Sequence, residues 1–395
     1  MLNLLILAAL AADTTSPPAV APQDGPAITV HRQPALPLVA LRLSVLADDP
    51  RGFAGAGHLM QHLHLPVMEE QAARVGARVQ ASRTSDALVY TVTGPASELA
   101  YLAGVLRSAL RVPQPAQAQM LVALNALSEE RAAERETAAS YVRAALRQGI
   151  FSRELPAAGT PASAARLEAA PLDALWGEMY SPERVSVVAV GNVDAGELAR
   201  ALRSLPAAGE ARLPETPADT VPSLAADTPQ ASRAWTGWAV AAPDADAAAL
   251  SVAARLVRSR LRRTMNNSTV EVEHWWTHRG QALAIVAAST AERAAAARRS
   301  LAGALAATAA ALDEAAVRDA AAGVRRDLLF YSRTPERMAE VLGAFADRGD
   351  GGDAAQRFFA ALDAVTVDSV RAALDGARGG TPVTVSVAPQ RLVPN

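Results

Sequence analysis

The spacing of apolar and polar residues predicts the same order of strands and helices in the two halves of the chain. In the first half, residues 28–47 and 84–94 alternate and are rich in β-branched side chains, which predicts paired strands. Residues 97–110 have leucine and alanine at helical spacing, and the stretch 116–148 is so rich in helix formers that it predicts one long helix. Residues 179–205 then predict a turn, an apolar strand, a Gly-Asn turn and a further helix.

The second half follows residues 206–232, which are rich in Pro, Ala, Asp and Thr, lack apolar periodicity and predict a linker. The predicted elements beyond it are a strand at 231–243, a helix at 248–263, a strand at 281–289, mainly helices over 291–347, and a helix, Gly turn and strand over 364–389. We therefore predict an α+β fold with two homologous α/β domains, residues 25–205 and 233–395. Each domain is expected to be a mainly antiparallel sheet covered by helices.

Composition narrows the classes of function. The 395 residues are enough for two or three domains, each with its own core. A net charge of −2 argues against a nucleic-acid partner. The chain has no cysteine, so disulfides are excluded and zinc could be bound only by histidine and carboxylate side chains.

Residues 1–12 form a short apolar run that ends in the cleavage-like sequence Ala9-Leu10-Ala11, and a Pro-rich polar stretch follows. This pattern predicts a signal peptide, and hence a secreted or periplasmic protein. Because no Arg or Lys precedes the run, an apolar N-terminus that is frayed or buried is the alternative. No later segment reaches about 20 consecutive apolar residues, so we predict no stable membrane insertion.

The stretch GAGHLMQH contains the candidate chemistry. His58 and His62 stand four residues apart, so on a helix both imidazoles project from one face and can bind one metal ion. Gln61 lies between them, where a metal-dependent hydrolase needs a carboxylate to accept a proton from water, and an amide cannot do so. The alternative is an ordinary pair of helix histidines. A second pair, His274 and His278, lies in a predicted strand or loop, where this spacing does not bring side chains together.

Six segments follow one another in a specific order. They are ALPLVALRLSV, RGFAGAGHLMQHL, VGARVQASRTSDALVYTV, a helix ending in SEER, PAAGTPASAARLEAAPLDALWGEMYSPERVSVVAVGNVD, and VTVDSVRAAL with a final strand. This order resembles the pitrilysin/insulinase family, zinc peptidases with the inverted motif H-x-x-E-H. The resemblance implies two homologous domains that face each other, and a homo- or heterodimer with a related peptidase subunit that encloses a polypeptide substrate.

The same resemblance implies a zinc site. In the family, two motif histidines and a glutamate from a later helix bind the metal, which corresponds here to His58, His62 and a glutamate in or after SEER. The candidates for this third ligand are Glu129 and Glu130 and, farther from the family position, Glu134 and Glu136.

Two positions depart from the family pattern. Gln61 stands where the family has its general-base glutamate, and such a base contributes about 10²–10⁴-fold to the rate. In the second domain, active relatives have an arginine and, seven residues later, a tyrosine that hold the substrate. Arg262 and Thr269 occupy these positions, and a threonine is shorter and has no ring. Both departures predict impaired hydrolysis.

The sequence thus predicts a pitrilysin/insulinase-like protein that is catalytically impaired and acts as a non-catalytic or regulatory partner of an active peptidase. One alternative is an active zinc endopeptidase that cleaves short or unfolded peptides. The other is a peptide-binding scaffold without zinc.

Overall fold

A computed structural model describes residues 26–46, 48–133, 136–151, 154–203, 211–219, 231–265, 268–350 and 353–389. Its strands are β1 (Ala27–Arg32), β2 (Leu38–Val45), β3 (Arg78–Arg83), β4 (Leu88–Pro95), β5 (Val185–Gly191), β6 (Ala234–Ala241), β7 (Thr269–Thr277), β8 (Gly280–Ser289) and β9 (Val383–Val387). Its helices are α1 (Ala56–Ala73), α2 (Leu99–Ser108), α3 (Gln117–Ala133), α4 (Ala138–Ile150), α5 (Pro161–Ala169), α6 (Leu172–Met179), α7 (Ala195–Ala201), α8 (Ala247–Thr264), α9 (Ala294–Ala309), α10 (Glu314–Tyr331), α11 (Pro335–Phe345), α12 (Ala354–Asp363) and α13 (Val367–Gly379).

The first sheet has the strand order β1-β5-β2-β4-β3. Strands β1 and β5 are parallel and the other neighbours are antiparallel, so the sheet is mixed. Central strand β2 is buried on both faces, because Val39, Leu41 and Leu43 point into the main core while Ala40 points the opposite way. This double burial explains why its sequence, LVALRLSV, is almost continuously apolar.

Helices lie on both faces of the first sheet. Helices α1, α2 and α7 cover the face that forms the main core. The opposite face carries α11, whose Met338 and Ala339 pack against Ala40, Val188 and Val190. The sheet is therefore shielded from water on two sides at its centre.

The second sheet has the order β7-β8-β6-β9 and is antiparallel throughout. Helices α8, α9 and α13 pack on one face. On the opposite face, Val142 and Leu146 of α4 lie over Gly237, where a Cβ atom would come within 2.4 Å of Val142. Gly237 therefore lets α4 approach the sheet closely. An α+β fold with helix-covered, mainly antiparallel sheets is confirmed.

Each compact unit contains one helix that comes from the opposite half of the sequence. Helix α4 comes from the first half of the sequence but packs on the second sheet, and α11 comes from the second half but packs on the first. Among the described residues, the first unit comprises those up to Leu127, Ala157–Asp219 and Leu328–Arg357. The second unit comprises those of Ser128–Pro156, from 231 to Asp327, and from Phe358 to 389. The predicted ranges 25–205 and 233–395 each contain the strands of one sheet but do not include this exchange.

The prediction of one helix over residues 116–148 was wrong. Helix α3 ends at Ala133 and α4 begins at Ala138. The hydroxyl of Thr137 accepts a hydrogen bond from the backbone N–H of Ser140 at 3.1 Å and so caps a new helix. Helix-forming composition does not show this break, because a single capping residue decides where a helix starts.

Two further predictions concern the ends and connections of the chain. The predicted signal peptide, residues 1–12, lies outside the described residues, and so does most of the predicted linker. Residues 211–219, the main described part of that linker, contain no helix or strand. Among the described residues, no single helix is long and apolar enough to cross a bilayer, although α9 and α10 with the turn before α9 meet that test when taken together, with a bend of 113°.

Candidate metal centre

Helix α1 begins after a glycine-rich turn and carries both motif histidines. Gly55, at its N-cap, has φ = 90°, in the left-handed region that favours glycine. The carboxylate of Asp49 accepts hydrogen bonds from the backbone N–H groups of Gly55 at 2.7 Å and Gly57 at 2.9 Å. The first N–H groups of a helix have no partner within it, and the helix dipole favours an anion there. The glycine-rich part of the motif therefore defines where the helix starts.

The two histidines lie one turn apart on α1, as their spacing predicts. Their rings are stacked, with centroids 4.8 Å apart and planes inclined by 22°. Both residues are half-buried, and Nδ1 of His58 and Nε2 of His62 are buried atoms. The side chains thus converge on one side of the helix.

Glu130 on α3 completes a group of three potential ligands. One ligand atom each from His58, His62 and Glu130 lies within 4.8 Å of the others. Leu127 follows Ala123 by four residues, and Glu130 follows Leu127 by three. Both Ala123 and Leu127 are buried, so Glu130 lies on the same, inward face of α3.

Glu129 is exposed and is not a member of this group. It precedes Glu130 by one residue, which on a helix corresponds to a rotation of about 100° away from the inward face. Of the other two glutamates, Glu134 lies outside the described residues and Glu136 is exposed beyond the end of α3. Among the candidates that the structure describes, Glu130 is the one that belongs to this group.

The residues fit a zinc ion by type and position. Two histidine nitrogens and a glutamate oxygen are a donor set that zinc takes in hydrolases, with a fourth position left for water. The three ligand atoms lie within 4.8 Å of one another, close enough to share one metal ion.

The side-chain amide of Gln61 is hydrogen-bonded to the backbone of the first sheet. Its Nε2 donates to the carbonyl oxygen of Ser82 at 2.7 Å and to that of Val89 at 3.2 Å, and these two residues are paired across β3 and β4. The residue is only 3% exposed. Gln61 therefore supplies hydrogen-bond donors to the sheet, which an ionised carboxylate at this position could not do, because it has no hydrogen to donate.

Arg262 and Thr269 both lie on the surface of the second unit. Arg262 is exposed in the last turn of α8, and Thr269 is exposed as the first residue of β7. The Thr269 hydroxyl accepts a hydrogen bond from Arg233 at 3.4 Å. The described contacts of Thr269 thus involve no aromatic stacking, in keeping with its small side chain.

His64 belongs to a separate buried network. Its Nε2 donates to the carbonyl oxygen of Arg111 at 2.8 Å, so its Nδ1 accepts a hydrogen bond from the Tyr90 hydroxyl at 3.1 Å. The Tyr90 hydroxyl lies 3.2 Å from that of Tyr180. Burial lowers the pKa of His64 from its usual 6.5 to about 4, against a smaller opposing effect of the Arg111 carbonyl. This histidine is a neutral structural residue.

The second histidine pair lies in and just after a strand. Both ring nitrogens of His274 have hydrogen-bond partners, the Ser251 hydroxyl at 2.8 Å and the Gln281 amide oxygen at 2.9 Å. The ring also stacks on Trp276, whereas His278 is exposed beyond the strand. The described contacts of His274 are those of a structural residue that joins β7 to α8 and β8.

No family model and no curated protein matches the sequence. Solved structures match over almost the whole chain. The inactive domain of an M16 peptidase from Pseudomonas fluorescens has a TM-score of 0.72 and 15% sequence identity, over 94% of this chain and 97% of that one. The chain has the fold of M16-like peptidases.

Two further structures have similar values. A protease from Helicobacter pylori has a TM-score of 0.72 and 13% identity, over 94% of this chain and 98% of that one. A chain of complex III2 from Candida albicans, bound to Inz-5, has a TM-score of 0.69 and 15% identity, over 92% of this chain and 94% of that one. At such identities the likeness establishes the M16-like fold and leaves the chemistry to the residues of the site.

Proposed function

We propose that the protein is a zinc-binding homologue of pitrilysin/insulinase-type metallopeptidases with impaired hydrolysis, and that it acts as a non-catalytic or regulatory partner of an active peptidase. The observation that carries this proposal is the contrast within one helix turn. His58 and His62 form with Glu130 a group that could hold a metal ion, while Gln61, on the same helix turn as the histidines, donates to two carbonyl oxygens. This contrast supports a site that binds a metal ion but has an amide in place of a proton acceptor.

The chain's own residues define what such a site can do. His58, His62 and Glu130 would hold zinc, which when bound acidifies a water ligand and polarises a carbonyl group. Gln61 can orient a water molecule by hydrogen bonding but cannot take its proton. Loss of the base removes about 10²–10⁴-fold of rate, equivalent to about 3–5 kcal/mol of barrier. Such a site can hold a peptide near a metal without cleaving it efficiently.

Two considerations support a partner role, as a homo- or heterodimer with a related peptidase subunit that contacts a polypeptide substrate. One matching structure is itself an inactive peptidase domain, and another belongs to a multisubunit complex. The apolar run of residues 1–12 supports a secreted or periplasmic location.

The test is to purify the full chain and measure its zinc content and its hydrolysis of an unfolded peptide, alone and mixed with a peptidase that co-purifies with it. We expect one zinc per chain, little hydrolysis alone and altered hydrolysis by the partner. Strong zinc-dependent cleavage by the chain alone would establish the active-endopeptidase alternative. Absence of zinc, with peptide binding retained, would establish the scaffold alternative.

A further inference from the structure

Residues 213–219, which we call the strap, lie within the predicted linker yet contact the turn that precedes α1. Leu213 packs at the margin of the main core. The hydroxyl of Thr216 donates a hydrogen bond to the carbonyl oxygen of Arg51 at 2.9 Å. The strap therefore lies against the first unit at the entrance to the helix that carries the histidines.

The strap explains a glycine of the motif. Gly52 has φ = 82°, and a Cβ atom at this position would come within 2.2 Å of the Thr216 hydroxyl oxygen and 2.8 Å of the Pro217 carbonyl oxygen. The space that a side chain would need is filled by the strap. Gly52 is thus required by a contact with a segment more than 160 residues away in the sequence.

Asp219 ends the strap with a buried carboxylate. Its side chain is 1% exposed, and its Oδ2 accepts a hydrogen bond from the backbone N–H of Ala54 at 2.8 Å. Its Oδ1 pairs with Arg166, whose Nε in turn donates to the Gly52 carbonyl oxygen at 2.5 Å. A buried carboxylate without such a counter-charge would be strongly unfavourable, so Arg166 and Asp219 form one unit that holds the turn.

Asp49 and Asp219 bind the start of α1 together. They accept hydrogen bonds from the N–H groups of Ala54, Gly55 and Gly57, and His58 is the next residue. Asp49 is itself neutralised by Arg83 at 2.9 Å, as Asp219 is by Arg166. The first turn of the helix is therefore fixed by two charge-balanced carboxylates from different parts of the chain.

We infer that the strap sets the position of the metal-binding helix and that Asp219 is a positioning residue for the His58–His62 pair. Ligand side chains must be held to within about 0.5 Å for tight metal binding, and His58 lies four residues after the N–H group that Asp219 holds. This inference rests on the proposed zinc function. The strap, which is part of the segment between the two sheets, would thereby help to hold the metal-binding helix in place.

The experiment compares Asp219→Ala, Asp219→Asn and the control Asp194→Ala. Asp194 also accepts a hydrogen bond at a helix N-terminus in the same unit, from the N–H of Glu197 at 2.7 Å, and it caps α7 instead of α1. Zinc affinity is measured by competition with a chromogenic chelator. Hydrogen exchange of the amides of residues 54–58 is measured in metal-free protein.

We expect Asp219→Ala to weaken zinc binding about tenfold or more, as the loss of outer-sphere support does, and to speed amide exchange at 54–58. Asp219→Asn retains an acceptor for Ala54 and should keep most of both properties. Asp194→Ala should change neither. A Thr216→Val variant loses only the hydrogen bond to Arg51 and should show a smaller change in the same direction. It replaces Asp219→Ala in the experiment if that variant does not fold.

Unchanged zinc affinity and unchanged exchange in folded Asp219→Ala would overturn the inference. A loss of thermal stability with normal zinc affinity would also overturn it, because Asp219 would then be merely structural. If the unmodified protein binds no zinc, the proposed function fails. The exchange measurement on the metal-free protein then decides separately whether Asp219 orders the start of α1.

Discussion

Arg42 on β2 and Asp347, just after α11, form a buried ion pair although 305 residues separate them in the sequence. The distances are 2.6 Å from Nη2 to Oδ2 and 3.3 Å from Nη1 to Oδ1, and the side chains are 1% and 2% exposed. Gly343 leaves room for the guanidinium, since a Cβ atom there would come within 2.0 Å of Nη1. The pair thus ties the exchanged helix α11 to the first sheet.

Asp347→Ala should lower the free energy of unfolding by about 3–5 kcal/mol, because it leaves the buried charge of Arg42 without its partner. The control is Glu340→Ala on α11, which removes a half-exposed ion pair with Arg337 and should cost less than about 1 kcal/mol. Urea unfolding monitored by circular dichroism measures both. Equal losses for the two variants would mean that the buried pair does not hold α11 in place.

Glu130→Gln should weaken zinc binding by more than the roughly 10–100-fold typical of outer-sphere substitutions, because it removes a charged ligand. Glu129→Gln is the matched control, one residue earlier and exposed, and should leave the affinity unchanged. Calorimetric titration with zinc measures both. An equal effect of the two substitutions would contradict the assignment of Glu130 as the third ligand.

Gln61→Glu should produce weak zinc-dependent hydrolysis at the expense of stability. A carboxylate cannot donate to the carbonyl oxygens of Ser82 and Val89. The new side chain should therefore move away from these oxygens and act as a base near the metal-bound water. The lost hydrogen bonds should cost about 1–3 kcal/mol. The gain in hydrolysis should be partial, because Thr269 does not replace the family tyrosine.

Gln61→Met is the control for this prediction, since it removes the same donors without adding a base. It should lower stability by a similar amount and give no hydrolysis. Peptide cleavage with and without zinc, together with thermal unfolding, separates the two effects. Equal cleavage by the two variants would show that residue 61 is not at a position from which it can act as a base.

His64 should make the protein less stable in acid. Its pKa is about 4 in the folded protein and near 6.5 when unfolded, so between these values the unfolded chain binds more protons. This contribution to stability is fully present above about pH 6.5, and about 3 kcal/mol of it should be lost by pH 4.

Urea unfolding at pH 7, 5.5 and 4 measures this dependence on pH. His64→Gln should remove most of the slope, although it lowers stability at pH 7. His278→Gln at an exposed position is the control for replacing a histidine by glutamine. A slope in the His64 variant as steep as in the unmodified protein would assign the acid sensitivity to other groups.

Much of the fold could be predicted from local sequence patterns. Strands alternate where one face is buried and run apolar where both are, and the helices keep their periodicity, so the α+β architecture could be predicted. The apolar pattern did not predict β3, and it left the segment of β7 as strand or loop. The spacing of His58 and His62 predicted a shared helix face for the same reason. The inward face of α3 could also have been read from Ala123 and Leu127, which would have favoured Glu130 over Glu129.

The sequence alone therefore determined the two sheets, the histidine pair and the glutamine between them, because each depends on neighbouring residues. Only the tertiary structure decided that α4 and α11 exchange between units and that Asp219 supports the start of α1. It also decided that Gln61 is bound to the first sheet. These features join residues up to 305 positions apart, as in the pair of Arg42 and Asp347. A contact at such separation depends on how the elements pack, and a capping aspartate or a buried arginine has the same local sequence whether or not that packing occurs.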